Sequence, residues 1–406
     1  LGGLAQYGWT FSAFQLTNIV GISLGGDSDR FGLARAFIAG VLLFCVGLAV
    51  SGFASSMLVV VAGRSLQGLG SGLLYTASYA AIPRAYAVDL QPRMLATLSS
   101  AWVIPGLVGP ALAGVVAEQL SWRWVFWGLM PLTLLAALLA LPALRNLPPE
   151  PPHPEHASHV GTALQLGAGA CAALIGLGQE RWELALPLAA IGGVVALRAL
   201  RALFPPGTLL ARRGQPAAVA TMLLLTFAFF GTEAFVPLAL SNIRGAPVLI
   251  SGLALTFAAL TWTAGAWLPV RLTQVSRRKL ISSGIVLLAL GLVGVLLLLS
   301  PVVPMTCAWL AWAVAGLGMG LSFTTTSAAI LESAAPGEAS RASASLQLAQ
   351  VLGAALSTGL GGVVIASDLA GDPPVRGIAA VSLIMIAACG LALVSTRGIT
   401  PSAPQP

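Results

Sequence analysis

Thirteen apolar runs divide the chain, near 6–25, 33–53, 58–82, 95–117, 124–143, 161–179, 184–203, 217–240, 249–270, 280–300, 304–330, 342–366 and 376–396. Each is rich in Leu, Ala, Val and Gly and close to the roughly 20 residues that a helix needs to cross a bilayer. None shows the period-two alternation of a membrane barrel's roughly ten-residue strands. In lipid only helices and closed barrels satisfy every backbone donor and acceptor. The pattern therefore predicts an all-α polytopic membrane protein. Turn and charge clusters such as Pro148-Pro149-Glu150-Pro151-Pro152 and Arg277-Arg278-Lys279 separate the runs.

The loop cations set an orientation. Of 20 Lys and Arg residues, only Arg64 stands deep inside a run. If the loop after the first run is cytoplasmic, the opposite side receives Arg123, Arg181, Arg244 and Arg376, and the remaining fifteen cations face the cytoplasm. This predicts a multi-pass protein with a cytoplasmic C-terminus, and the expected location is the plasma (inner) membrane.

A repeat is visible. Gly68-Leu69-Gly70-Ser71-Gly72 returns as Gly316-Leu317-Gly318-Met319-Gly320, an offset of 248. The same offset pairs Ala80-Ala81-Ile82 with Ala328-Ala329-Ile330, Arg93 with Arg341, and Gly114-Val115-Val116 with Gly362-Val363-Val364. Internal duplication of this kind is common among transporters. It carries the run at 217–240 to a position before Leu1, so the reading expects an absent upstream helix. The chain then divides into an N-terminal bundle (1–147) lacking its first helix, a cytoplasmic linker with an inserted helix pair (148–205), and a C-terminal bundle (206–406).

Composition removes other classes. Hydrophobic types make up 57% and charged types 8%, with a mean hydropathy of +0.91. That is too little charge for a soluble globular surface and far too apolar for a disordered chain. The single lysine, Lys279, excludes a Walker A loop. Cys45, Cys171, Cys307 and Cys389 are widely spaced within apolar runs, without metal or disulfide spacing. His153, His156 and His159 lie among prolines that prevent a helix from gathering them. No metal, cofactor, nucleic-acid or enzymatic site is expected; the net charge of +7 belongs to the loops.

Residues 25–35, Gly25-Gly26-Asp27-Ser28-Asp29-Arg30-Phe31-Gly32-Leu33-Ala34-Arg35, resemble the G-x-x-x-D-R-x-G-R-R loop of the major facilitator superfamily. Arg64-Ser65-Leu66-Gln67-Gly68-Leu69-Gly70 is similar to that family's R-x-x-Q-G-x-G helix. The stretch Pro105 to Gly114 resembles its antiporter motif G-x-x-x-G-P-x-x-G-G, with Pro105 and Ala113 in place of two glycines. Trp122-Arg123-Trp124-Val125-Phe126, with the inserted pair, resembles the fourteen-helix drug:proton antiporter branch. The resemblance implies two pseudo-symmetric six-helix bundles and conformational gating by Asp29, Arg30, Gly32, Arg35, Gly106, Gly109, Pro110 and Gly114. Asp29 would act as a latch on a helix N-terminus.

Two ionisable residues inside spans stand out. Charge at mid-membrane costs about 2.5–3.5 kcal/mol and marks pathways or proton relays. Glu233 is the acid placed within a span, and Arg64 the cation. They are the candidates for proton coupling, against a structural acid and a snorkelling or paired arginine. Gln15, Asn18, Gln67, Trp102, Thr256, Trp262, Gln347 and Gln350 are candidate cavity residues, each also able to serve as a helix–helix hydrogen bond. The expected function is proton-coupled export of hydrophobic or amphipathic small molecules by a monomer in the bilayer. The alternatives are an uptake, lipid or siderophore transporter of the same fold, and a non-transporting membrane sensor or inactive fragment.

Overall fold

The computed structural model describes residues 3, 6–26, 32–87, 90, 94, 103–147, 160–179, 181–272, 274–333, 339–368 and 374–399. Among the described residues, thirteen long helices fall on the thirteen apolar runs. They are α1 (Tyr7–Gly26), α2 (Leu33–Gly52), α3 (Met57–Ala85), α4 (Val103–Gln119), α5 (Trp122–Arg145), α6 (Val160–Leu177) and α7 (Trp182–Leu203). The series continues with α8 (Gln215–Glu233), α9 (Val248–Arg271), α10 (Arg277–Leu297), α11 (Cys307–Glu332), α12 (Ala339–Ala366) and α13 (Val375–Ser395). No strand occurs among the described residues.

Eleven of the helices are long and apolar enough to cross a membrane, and α1 and α4 are not among them. In α1 the reason is polar content that serves packing. Ser12 is fully buried; the Thr17 hydroxyl donates to Ser65 O at 2.8 Å; and Asn18 Nδ2 donates to Gly68 O at 3.4 Å. Such bonds hold helices together where lipid offers no hydrophobic drive for association.

The chain forms two compact units, Leu1–Pro105 with Val116–Leu200, and Gly106–Val115 with Arg201–Pro406. In the first, α1 and α2 both pack along α3, α5 packs on α2, and α6 packs on α1. Helices α6 and α7 approach each other through Gly169 and Gly192, where an added Cβ would come within 2.8 Å and 2.7 Å of the facing glycine's carbonyl oxygen. In the second unit α9 and α10 both pack along α11, and α12 and α13 pack on α8.

The duplication is visible as repeated close backbone approaches. Gly40 and Gly47 of α2 lie against the carbonyls of Gly70 and Gly63; Gly284 and Gly291 of α10 lie against those of Gly318 and Ala311. Likewise Gly21 of α1 meets Leu69 O and Gly265 of α9 meets Leu317 O. Helix α3 thus maps onto α11 at the offset of 248 read in the sequence (70 to 318), but α1 and α2 map onto α9 and α10 at 244 (21 to 265, 40 to 284). The four-residue slip arises in the loops, since 53–56 joins α2 to α3 whereas the longer 298–306 joins α10 to α11. A single ungapped offset is corrected accordingly.

Two of the four minority-side arginines have structural work. The Arg244 guanidinium donates to the carbonyls of Leu298, Ser300 and Val303, each at 2.8 Å, where α10 ends. Arg123 donates to Ala54 O at 3.0 Å, just past the end of α2, and lies over the Trp122 ring. A cation at a helix C-terminus satisfies orphan carbonyls and opposes the negative end of the dipole. Removing Arg244 as Arg244→Ala is expected to destabilise the second unit by about 2 kcal/mol, the scale of hydrogen bonds to a charged donor. Thermal melting in detergent will show it as a lowered midpoint. Arg244→Lys should recover only part, because an ammonium cannot span three carbonyls as a fork does.

Candidate functional site

Glu233 is the last residue of α8, yet the apolar span runs on to Ile243. Pro237 explains the interruption. Proline has no N–H, and its ring clashes with the carbonyl four residues earlier, which here is Glu233 O. The chain turns at Ala234–Phe235, then forms a short helix (Val236–Leu238) and a π-turn (Ala239–Ile243). Helix breaks inside a membrane are tolerated where the backbone is buried in protein or lines a cavity. Glu233 therefore sits at a break within a span. Its carboxyl is half-buried and makes no hydrogen bond or ion pair among the described residues.

An aromatic cluster stands one turn before it. Phe229, four residues before Glu233 and so on the same helical face, is buried and stacks on Trp312 with centroids 5.1 Å apart. It also meets Trp262 edge-on at 5.1 Å. Trp262 touches Phe323 at 5.3 Å and Phe230 at 6.2 Å. Helices α8, α9 and α11 thus contribute one aromatic wall. Three polar atoms on α9 and α11 are buried without a hydrogen-bond partner, Thr256 Oγ1, Trp312 Nε1 and Thr326 Oγ1. An unmet buried polar atom costs about 1–3 kcal/mol. Of this group the sequence reading selected Glu233, Thr256 and Trp262. It missed Phe229, Phe230, Trp312 and Phe323, although the i, i+4 spacing of Phe229 and Glu233 was a usable signal.

In the first unit Arg64 is anchored on α1 and α3. Its Nε donates to Thr10 O at 3.1 Å, Nη1 donates to Gln67 Oε1 at 2.8 Å, and the guanidinium lies 4.3 Å from the Phe14 ring centroid. Gln67 Nε2 in turn donates to Gly47 O and Ser51 Oγ, both at 3.0 Å. Thr10 O of α1, Arg64 and Gln67 of α3 and Ser51 of α2 form one polar chain across three helices. No acid pairs with Arg64 among the described residues.

The glycine-proline segment of α4 belongs to the second unit and packs on α9. An added Cβ at Gly114 would lie 3.1 Å from Leu249 Cα, one at Gly252 would lie 2.9 Å from Pro110 O, and one at Gly106 would lie 3.6 Å from Ala259 Cβ. Gly106, Pro110 and Gly114 are spaced by four and form one stripe, whereas a Cβ at Gly109 would meet nothing within 4 Å among the described residues.

The other candidates are placed as follows. Gly32 precedes α2 with φ of 87°, in the left-handed region, and its carbonyl accepts from the exposed Arg35's N–H at 3.1 Å. Gln347 Nε2 donates to Ser343 Oγ at 3.4 Å, and Gln15 and Gln350 are half-buried. Asp29, Arg30, Trp102, Arg93 and the three histidines lie outside the described residues, as does the Arg341 side chain.

Comparisons with known proteins agree with this architecture. Along 92% of its length the chain is 27% identical to "Probable multidrug-efflux transporter Rv1634" of Mycobacterium tuberculosis, 82% of which is covered. It is 26% identical over 34% of its length to "Multidrug resistance protein 3" of Bacillus subtilis, and 28% identical over 31% to "Multidrug efflux pump SdrM" of Staphylococcus aureus. These last two alignments span only 27% and 28% of those relatives. Among solved structures, a peptide transporter (POT) in complex with sulfate superposes with a TM-score of 0.70 at 17% identity, covering 98% of this chain and 88% of that one. A D-xylose-proton symporter superposes with a TM-score of 0.66 at 16% identity, covering 98% and 91%. The family model for the Major Facilitator Superfamily matches residues 1–358. With thirteen helices on thirteen apolar runs and a duplicated helix arrangement, the chain is a multi-pass membrane protein that belongs to the Major Facilitator Superfamily.

Proposed function

We propose that this protein is a secondary active transporter that exports hydrophobic or amphipathic small molecules by alternating access, and that Glu233 carries the coupling proton. The observation that carries the reading is the carboxyl at the α8 break, unpaired among the described residues and one turn from an aromatic wall. An acid that must be neutral when sealed and can ionise when wetted suits a proton relay. The wall and the unspent Thr256 and Trp312 atoms suit a ligand with an apolar body and a polar or cationic edge. Efflux relatives favour export as the direction. Arg64 and its polar chain supply a fixed positive charge in the first unit. The test is uptake of a fluorescent amphipathic dye into inverted vesicles. An imposed proton gradient should drive accumulation, and a protonophore should abolish it; accumulation unaffected by the protonophore would reject proton coupling.

The same reading assigns the bundles to 1–147 and 206–406, the inserted pair to 148–205, and the C-terminus to the cytoplasm. Tags placed at 148–160 and after 397 are expected to be protected in whole cells, and a tag at 181 to be accessible. The linker and residue 181 on one side would contradict the inserted pair.

The latch assigned to Asp29 predicts that Asp29→Asn keeps expression but shifts the balance of states. A charge–dipole term of about 0.3–1 kcal/mol is enough for a change of up to about five-fold. Cysteine accessibility from the two faces reads it, and unchanged labelling on both faces would reject the latch.

A further inference from the structure

The turn between α7 and α8 does not behave as an ordinary polar loop. Phe204 and Thr208 are buried at 3% and 4% exposure, while Leu209 and Leu210 stand out at 50% and 74%. The turn is tightly built. Thr208 Oγ1 donates to Pro205 O at 2.7 Å, Arg212 N donates to Gly207 O at 3.1 Å, and the 3₁₀ turn Thr208–Leu210 ends on Ala211 at a positive φ of 46°. A left-handed alanine is held by its surroundings, since free chains avoid that region. The two leucines are therefore displayed on a rigid base.

Cations surround them. Arg212 and Arg213 follow after Ala211 and are exposed. Gly214 N donates to Gly398 O at 2.9 Å, which sets exposed Arg397 beside Arg213. Ser282 Oγ lies 3.3 Å from Thr396 Oγ1, which brings the start of α10, with exposed Arg278 and Lys279, to the same end. No acid occurs between Glu183 and Glu233 or after Asp372. Of the described acids in this unit, Glu332 is ion-paired with Arg277, Glu233 lies within a span, and Asp368 accepts from Gly377 N at the far end of α13. Among the described residues of this unit, Arg212, Arg213, Arg278, Lys279 and Arg397 have no acidic partner, and the charge at this end is net positive.

The turn joins α7 and α8, both apolar enough to cross the bilayer, so it lies at the level where lipid tails give way to headgroups. We propose that the 204–214 turn is an anionic-phospholipid site, with Leu209 and Leu210 seated in the acyl boundary and Arg212, Arg213 and Arg397 holding the phosphate-bearing headgroup. Apolar side chains buried shallowly and basic side chains at headgroup level are the two components of interfacial binding, and arginine forks match phosphate oxygens. The site does not depend on the transport reading.

The full-length protein in nanodiscs of phosphatidylcholine and phosphatidylglycerol provides the test. Native mass spectrometry should show phosphatidylglycerol retained over phosphatidylcholine. Each of Arg212→Gln, Arg213→Gln and Arg397→Gln should reduce that preference roughly five-fold, the scale of one basic residue near an anionic surface. Lysine at the same positions should keep most of it, which separates lost charge from lost fold. A nitroxide at Leu210→Cys, in a Cys307→Ser background, should be quenched by oxygen and shielded from an aqueous nickel chelate. Equal phosphatidylglycerol retention in the triple glutamine variant, or a label at 210 open to the chelate, would overturn the proposal.

Discussion

Glu233→Gln is expected to abolish gradient-driven accumulation of substrate while leaving substrate binding and downhill exchange in place. Glutamine keeps the volume of the side chain and can still form hydrogen bonds, but it cannot release a proton. The wild-type carboxyl sits where α8 is interrupted by Pro237 and has no partner among the described residues to hold its charge. Sealing an ionised side chain at mid-membrane costs about 2.5–3.5 kcal/mol, a factor of roughly a hundred in population. Protonation removes that cost, so the occluded form is tied to the proton. In the variant the occluded form is reachable at every pH, and flux should lose its pH dependence. Accumulation assays across a pH series, beside equilibrium binding of the same dye, separate the two effects. Retained uphill transport in Glu233→Gln with the wild-type pH profile would remove Glu233 from the coupling role. Arg64→Ala is expected to alter the profile by deleting the half-buried positive charge of the other unit, while Arg64→Lys, lacking the fork that reaches Thr10 O and Gln67 together, should recover little.

The second large effect is expected within a single motif. Gly114→Leu should collapse accumulation, whereas Gly109→Leu, five residues away, should be close to neutral. At Gly114 a new Cβ would already meet the Leu249 backbone at 3.1 Å, and a full side chain must push α4 away from α9. Overpacking costs about 1–3 kcal/mol. Transport states separated by only a few kcal/mol are shifted tenfold or more by such a term. A Cβ at Gly109 would meet nothing within 4 Å among the described residues. Both variants should reach the membrane in similar amounts, and dye accumulation should distinguish them. Equal loss in both would mean that the glycines act through helix flexibility, not through the seam with α9.

The helices were legible because lipid imposes a coarse rule, a long uncharged run for each span, and each of the thirteen runs holds a described helix. Glu233 was legible for the same reason, as the acid within such a run. The break beside it was foreshadowed by Pro237, yet the run at 217–240 reads as continuous, since hydropathy does not register a missing N–H. The repeat was found at Gly68 and Gly316, but the four-residue slip in α1 and α2 was not, because an insertion in a loop leaves no mark in a sequence dominated by Ala, Gly and Leu. Phe229, Trp262, Trp312 and Phe323 meet only through tertiary packing of three helices. Nothing in their spacing announces it. The partner of the α4 stripe was equally hidden, since a glycine facing a helix and a glycine facing open space look alike in sequence.

The central claim, that Glu233 exchanges a proton for substrate, is tested most directly by following protons as substrate moves. In proteoliposomes with a pH-sensitive dye inside and no imposed gradient, a substrate pulse should change the internal pH in wild type and leave it unchanged in Glu233→Gln. Proton movement of equal size in both proteins, or substrate flux in wild type with no proton movement at all, would contradict it.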